Sequence, residues 1–238
     1  MEELLTVNNM ISLLSLTALE LVLGIDNILF ISILAEKLPV EKRSWARKVG
    51  LAFALIGRLI LLAGVSWLVK FQEPILSFWK YNFSIRDFIV LGGGLFLLYK
   101  GTMEIFHFTE AKKEEVKKSA KDLRAGMLSF ITQVILIDLV FSFDSVVTAI
   151  GMTDKLMIMC IAVIISILVM IVFANKIANF IEAHPSIKML ALTFLILVGV
   201  LLIADGFGEH FNRGYVYFAM AFSISVEILN MRRRKNIA

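Results

Sequence analysis

Cysteine is nearly missing from this chain: Cys160 is the only one in 238 residues. That excludes an internal disulfide and a thiolate metal cluster, and leaves Cys160 as a small packing residue inside an apolar run. The opening residues, MEELLTVNN, lack the basic segment and small-residue cleavage site of a signal peptide. The apolar run after them is too long for a signal core, so it is read as a structural helix. Alternating polarity over segments of ~10 residues, the mark of a membrane barrel strand, is also absent. The apolar runs are longer and apolar on every face, and a lone segment in lipid satisfies its backbone only as a helix.

What is present is hydrocarbon. The chain is 59% hydrophobic with mean hydropathy +0.84, well above the ~45–50% apolar content of soluble domains. Runs long enough to cross ~30 Å of bilayer recur at 10–35, 49–69, 87–106, 126–150, 156–174, 188–204 and 214–231. The fold class expected is an all-α polytopic membrane protein with seven transmembrane helices.

The net charge of +4 acquires meaning from its placement, which gives no nucleic-acid footprint. Loops on one side collect Lys37, Lys42, Arg43, Arg47 and Lys48, then Lys112 to Arg124, then Lys176 and Lys188, then Arg232 to Lys235. The other side holds only Lys70, Lys80, Arg86, Lys155 and Arg213. The positive-inside rule therefore puts the N-terminus outside and the C-terminus in the cytoplasm. The polar stretch 107–125 reads as a charged cytoplasmic linker. It separates a first three-helix unit, residues 1–106, from a second, 126–204, with the seventh helix and a basic tail in 205–238.

A three-span unit crosses an odd number of times, so its second copy enters from the opposite face. The sequence carries such a copy: ELVLGIDN at Glu20 to Asn27 and DLVFSFDS at Asp138 to Ser145. A weaker echo aligns GLFLLYKG (Gly94 to Gly101) with GVLLIADG (Gly199 to Gly206). The reading is a 3+3 inverted repeat plus one helix, the arrangement in which transporters place their site near the midplane between repeats.

Each string holds two acids six residues apart. On a helix that is about 600°, leaving the acids about 120° apart and ~9 Å along the axis. Position seven returns to the starting face, so Asn27 stands over Glu20 and Ser145 over Asp138. Gly24 and Ser142 occupy the matching small-residue place between, permitting close crossing, with Gly24 also open to local unwinding. A carboxylate at the bilayer centre costs ~3 kcal/mol or more on insertion scales. Four of them as mere helix glue would be expensive.

If the strings cross under pseudo-twofold symmetry, Glu20, Asp26, Asp138 and Asp144 converge, with Asn27 and Ser145 as neutral oxygens. Hard oxygen donors suit Mn²⁺, Mg²⁺ or Ca²⁺ as a transported ion. No permanent cofactor is implied. Four acids exceed the charge of one such ion, which brings proton exchange into the scheme. Arg58, mid-span, is read as a counter-ion for one of the acids, with gating as the alternative. Ser142 is an accessory position. Glu227, with Ser223 and Asn230 on its side of the seventh helix, is read as a further ligand, a proton relay, or a partner of Arg58 or a cytoplasmic lysine. Lys100 and Glu104, at i,i+4, form a local pair.

At these residues the sequence is similar to the TerC family of integral membrane proteins, in the short form made of the membrane domain alone. The resemblance covers LTALELVLGIDNILFIS, LGGGLFLLYKGTMEI, DLVFSFDSVVTAIGM, HPSIKMLALTFLILVG and YVYFAMAFSISVEILN. It implies a protein of metal-ion homeostasis in the bacterial plasma (inner) membrane, with manganese export and a historical link to tellurite resistance among relatives. It also implies that Glu20, Asp26, Asn27, Asp138, Asp144 and Ser145 are the family's acidic-motif positions.

The function expected is a transporter exporting Mn²⁺ or a similar hard dication, with proton coupling. The alternative is a non-transporting membrane partner in metal delivery or metal and tellurite stress. More remote is an intramembrane aspartyl protease, because LGIDN and FSFDS lack the Tyr-Asp and Gly-x-Gly-Asp settings of that class. The chain is therefore not expected to be an enzyme.

Overall fold

The computed structural model describes residues 6–64, 74–78, 81–110, 120–209, 211 and 213–237. Among them are seven helices: α1 (Val7–Ala35), α2 (Val40–Ala63), α3 (Ile85–Thr109), α4 (Ala120–Met152), α5 (Leu156–Ala183), α6 (Pro185–Gly206) and α7 (Arg213–Ile237). All except α2 are long and apolar enough to cross a membrane. The chain is thus an all-α polytopic membrane protein with six candidate spans.

The second span departs from the 49–69 expected. Helix α2 begins at Val40, inside the segment carrying Glu41, Lys42, Arg43, Arg47 and Lys48, and ends at Ala63 with Gly64 as its C-cap. Charged residues with good helix propensity continue the helix past the apolar run, which hydropathy alone does not register. Positions 65–69, and 111–119 of the 107–125 linker, lie outside the described residues.

One small sheet was not expected. Strands β1 (Pro74–Phe78) and β2 (Tyr81–Ser84) form an antiparallel hairpin with Phe78 opposite Tyr81 and an irregularity between Pro74 and Leu76. Proline lacks the N–H a ladder needs and is tolerated at a strand start. The hairpin runs straight into α3 through a capping box. Ser84 Oγ accepts from the Asp87 backbone N–H at 3.3 Å, and Asp87 Oδ2 accepts from the Ser84 N–H at 2.8 Å. Such caps contribute ~1 kcal/mol. Phe83 then packs on Phe88 and Phe207, seating the hairpin over the joined ends of α3 and α6.

Helices α3 and α6 make the most extensive pairing, followed by α1 with α5, then α2 with both α4 and α5. Small residues set these crossings, as packing rather than hydrophobic force requires inside lipid. A β-carbon on Gly94 would lie 2.8 Å from the Gly199 carbonyl, and one on Gly199 would lie 3.0 Å from that of Gly94. On α1, the place of a Gly24 side chain is filled by the Met170 thioether from α5. The helix runs unbroken through Gly24, so the local unwinding considered from the sequence does not occur. Helix α7 is peripheral, packing on α6 with large side chains such as Tyr215 and Phe218 exposed.

Candidate cation site

Three helices bring polar groups to one point in the apolar interior. Helix α1 supplies Glu20 and Asn27 from one face, two turns apart as their spacing dictates. Helix α4 supplies Asp138, Ser142 and Ser145. Helix α2 supplies Arg58, which at 1% exposure is the largest of the fully buried side chains. Gly57 beside it marks where α2 passes α4: a β-carbon there would stand 3.9 Å from Asp138 Oδ2, an ordinary contact.

Arg58 holds two acids, where the sequence reading gave it one. Its Nη1 donates to Glu20, while Nε and Nη2 each reach Asp138 Oδ1 at 3.3 Å. Asn27 Nδ2 donates to the same oxygen at 3.2 Å, and Ser142 Oγ donates to Asp138 Oδ2 at 3.1 Å. Ser145 donates to the Ser142 carbonyl at 3.2 Å and also stands beside the Glu20 carboxylate. Asn27 Oδ1 is buried without a hydrogen-bond partner. The cluster thus has two carboxylates, one fixed cation and one unused neutral oxygen. Removing one partner of such a buried pair costs ~3–5 kcal/mol, because the other charge is stranded.

Of the acids named from sequence, Glu20 and Asp138 meet. Asp26, on another face of α1, borders a cavity of about 30 Å³ that Arg58 also lines. The guanidinium therefore stands between the acid pair and that cavity. The side chain of Asp144 lies outside the described residues. Among the described residues, no three His, Cys, Asp or Glu side chains form a ready-made metal cluster. Glu227 and Asn230 pair with each other on α7 at 3.4 Å. The Lys100–Glu104 pair forms at 3.7 Å, and Glu104 also takes Lys37.

Among the polar links not read from sequence, two tie helices together inside the bundle. Arg86 reaches Asp205 at 2.7 Å, tying the start of α3 to the end of α6. Arg47 donates to Asn175 Oδ1 at 3.1 Å and pairs with Glu182, joining α2 to α5. A signal for the second existed. Arg47 and Arg58 are three helical turns apart, hence on one face of α2, and both are buried.

Residues 5–237 match the family described as "Integral membrane protein TerC family". Over 228 residues the chain is 47% identical to the UPF0053 inner membrane protein YgdQ of Escherichia coli K12, covering 96% of this chain and 94% of the relative. A UPF0053 protein of Haemophilus influenzae is 44% identical over 226 residues, with 94% of each covered. The UPF0053 inner membrane protein YoaE of Escherichia coli K12 is 43% identical over 227 residues, which is 94% of this chain but 43% of that longer relative. No solved structure matches the chain.

Proposed function

The chain belongs to the TerC family of integral membrane proteins, and from that premise we propose that it transports a hard divalent cation, exporting Mn²⁺ across the inner membrane in exchange for protons. The observation that carries this reading is a crosswise pairing at the centre. When the two acidic strings are aligned, Glu20 matches Asp138 and Asn27 matches Ser145. In space Asn27 serves Asp138 while Ser145 stands at Glu20. Each string's position seven attends the other string's first acid, which is the relation a twofold axis produces.

The α3 and α6 pairing supports the same axis. Gly94 and Gly199, aligned in the weaker echo, touch each other. In that alignment Leu91 matches Ile196, and the side-chain space of Gly101 is taken by Ile196 as that of Gly206 is taken by Leu91. A 3+3 inverted repeat with the N-terminus outside and the C-terminus inside accounts for these reciprocal contacts, and its site falls between the repeats.

In this scheme Arg58 balances Glu20 and Asp138 between transport events. An arriving dication takes its place between Glu20 and Asp138, drawing on Asn27 Oδ1 and Ser145 for neutral oxygens and on Asp26 and Asp144 for further charge. Protons occupy the surplus acids when the metal leaves, so binding and proton release are linked. Alternating access follows from rocking one repeat against the other.

Cells lacking the protein should accumulate manganese and become sensitive to it. Wild type should restore tolerance, whereas Asp26→Asn and Asp144→Asn should not. Full rescue by the double Asn variant overturns the proposal.

A further inference from the structure

Two cavities lie end to end along one side of α1. The wider, about 30 Å³, is bounded by Leu23, Asp26, Arg58, Phe141, Leu201 and Tyr217. That is room for one or two waters, since a single water needs ~10–15 Å³ on this measure. The narrower, about 10 Å³, lies against Leu29, Ile33, Ala191 and Leu195. Asp26, Phe141 and Val198 border both.

The register of these residues is that of a continuous crevice. On α1 they recur at positions 23, 26, 29 and 33, and on α6 at 191, 195, 198 and 202, so each set forms a single stripe. From Leu23 to Ile33 the rise is ~15 Å, about half the hydrocarbon thickness. A carboxylate sits at the waist of this apolar passage and a guanidinium at its wider end. Intramembrane acids almost always face the bundle interior or a water-filled space.

We infer that the crevice between α1 and α6 is the route by which the cation reaches and leaves the central acids. Asp26 is the binding step at its waist, and Phe141 and Val198 are the apolar side chains that part to join the two cavities. A metal ion with even part of its water shell needs more room than the narrower cavity offers. Opening at Phe141 and Val198 is therefore the gating movement. The inference rests on the transport reading above, but its test does not.

The near absence of cysteine makes that test direct. In a Cys160→Ser background, single cysteines replace Leu23 and Leu201 in the wider cavity, Ile33 and Ala191 in the narrower one, and Val22 and Val172 on exposed apolar faces as controls. Sealed vesicles of both orientations are treated with a charged, membrane-impermeant thiol reagent. A thiol must ionise in water to react, so crevice cysteines should label about tenfold or more faster than the controls. The two cavities should label from opposite sides of the membrane. Mn²⁺ should slow labelling at Leu23→Cys, and Asp26→Asn should remove that protection. Two positions per cavity guard against a variant that fails to fold.

Labelling no faster than at Val22→Cys, or unaffected by Mn²⁺, overturns the route. Manganese flux in liposomes is scored separately. Flux without crevice labelling rejects the route and keeps the transport reading; crevice labelling without flux rejects the transport reading.

Discussion

The two acidic strings are bordered in different ways by their neighbours. Beside the α1 string, the crevice against α6 holds two cavities that meet at Asp26. Beside the α4 string, Val140 is pressed against α3 so closely that no β-carbon fits at Gly93. In the proposed inverted repeat, α1 with α6 and α4 with α3 are counterparts. In the proposed transport cycle, a twofold-related pair with one side hollow and the other tight corresponds to one end state. The lesson is that residues matched between the two strings meet at the centre, while the flanks of the strings pack differently.

The comparison breaks most completely if the cluster between the two sides is taken apart. Arg58→Met strands Glu20 and Asp138 in the interior and should cost ~3–5 kcal/mol, read as a fall in thermal unfolding temperature of the purified protein. Adding Glu20→Gln and Asp138→Asn to that variant removes the stranded charges and should recover most of the loss. No recovery would mean that Arg58 contributes packing rather than charge.

A middling effect falls on the axis itself. Gly94→Val drives a side chain into the Gly199 backbone, which has nowhere to move. Overpacking of this kind costs ~1–3 kcal/mol. Gly93→Ala overpacks in the same way, ~1–3 kcal/mol, because the new β-carbon meets three atoms of the stiff Val140 side chain at 2.9 Å or closer. By loosening the tight side it should also change the rate at which the α1–α6 cysteines label. A labelling rate unchanged from the parent would disconnect the two sides.

The smallest effect is expected at Lys37. Its ammonium pairs with Glu104 from a side chain that is 45% exposed, and Lys100 stands on the same carboxylate at 3.7 Å. Pairs of that kind contribute ~0–1 kcal/mol, so Lys37→Gln should leave the unfolding temperature within a few degrees of wild type.

How far the sequence could be read follows from which physical signal each feature leaves. Apolar runs mark α1, α3, α4, α5, α6 and α7 because lipid demands them, and the duplicated acids announce themselves by their cost. Glu20, Asn27, Asp138, Ser142 and Ser145 come together as helical spacing implies. Arg58 was legible as a buried charge but not as the holder of two acids, since that depends on how closely α2 passes α4 at Gly57. The hairpin at 74–84 leaves only a short run of strand-forming residues between helices. The early start of α2 hides behind charged residues that are also good helix formers. The tightness at Gly93 against the space at Asp26 is a property of packing, and no local pattern encodes it.

The central claim is that the paired acids of the two strings move a dication. Purified protein in sealed liposomes, challenged with Mn²⁺ alongside Ca²⁺ and Mg²⁺ at two pH values, tests it most directly. The account predicts Mn²⁺ flux by wild type with proton movement in the opposite direction, and none by the Glu20→Gln, Asp138→Asn double variant. Wild-type liposomes that carry no divalent cation, or a double variant that carries Mn²⁺ as fast as wild type, would contradict it.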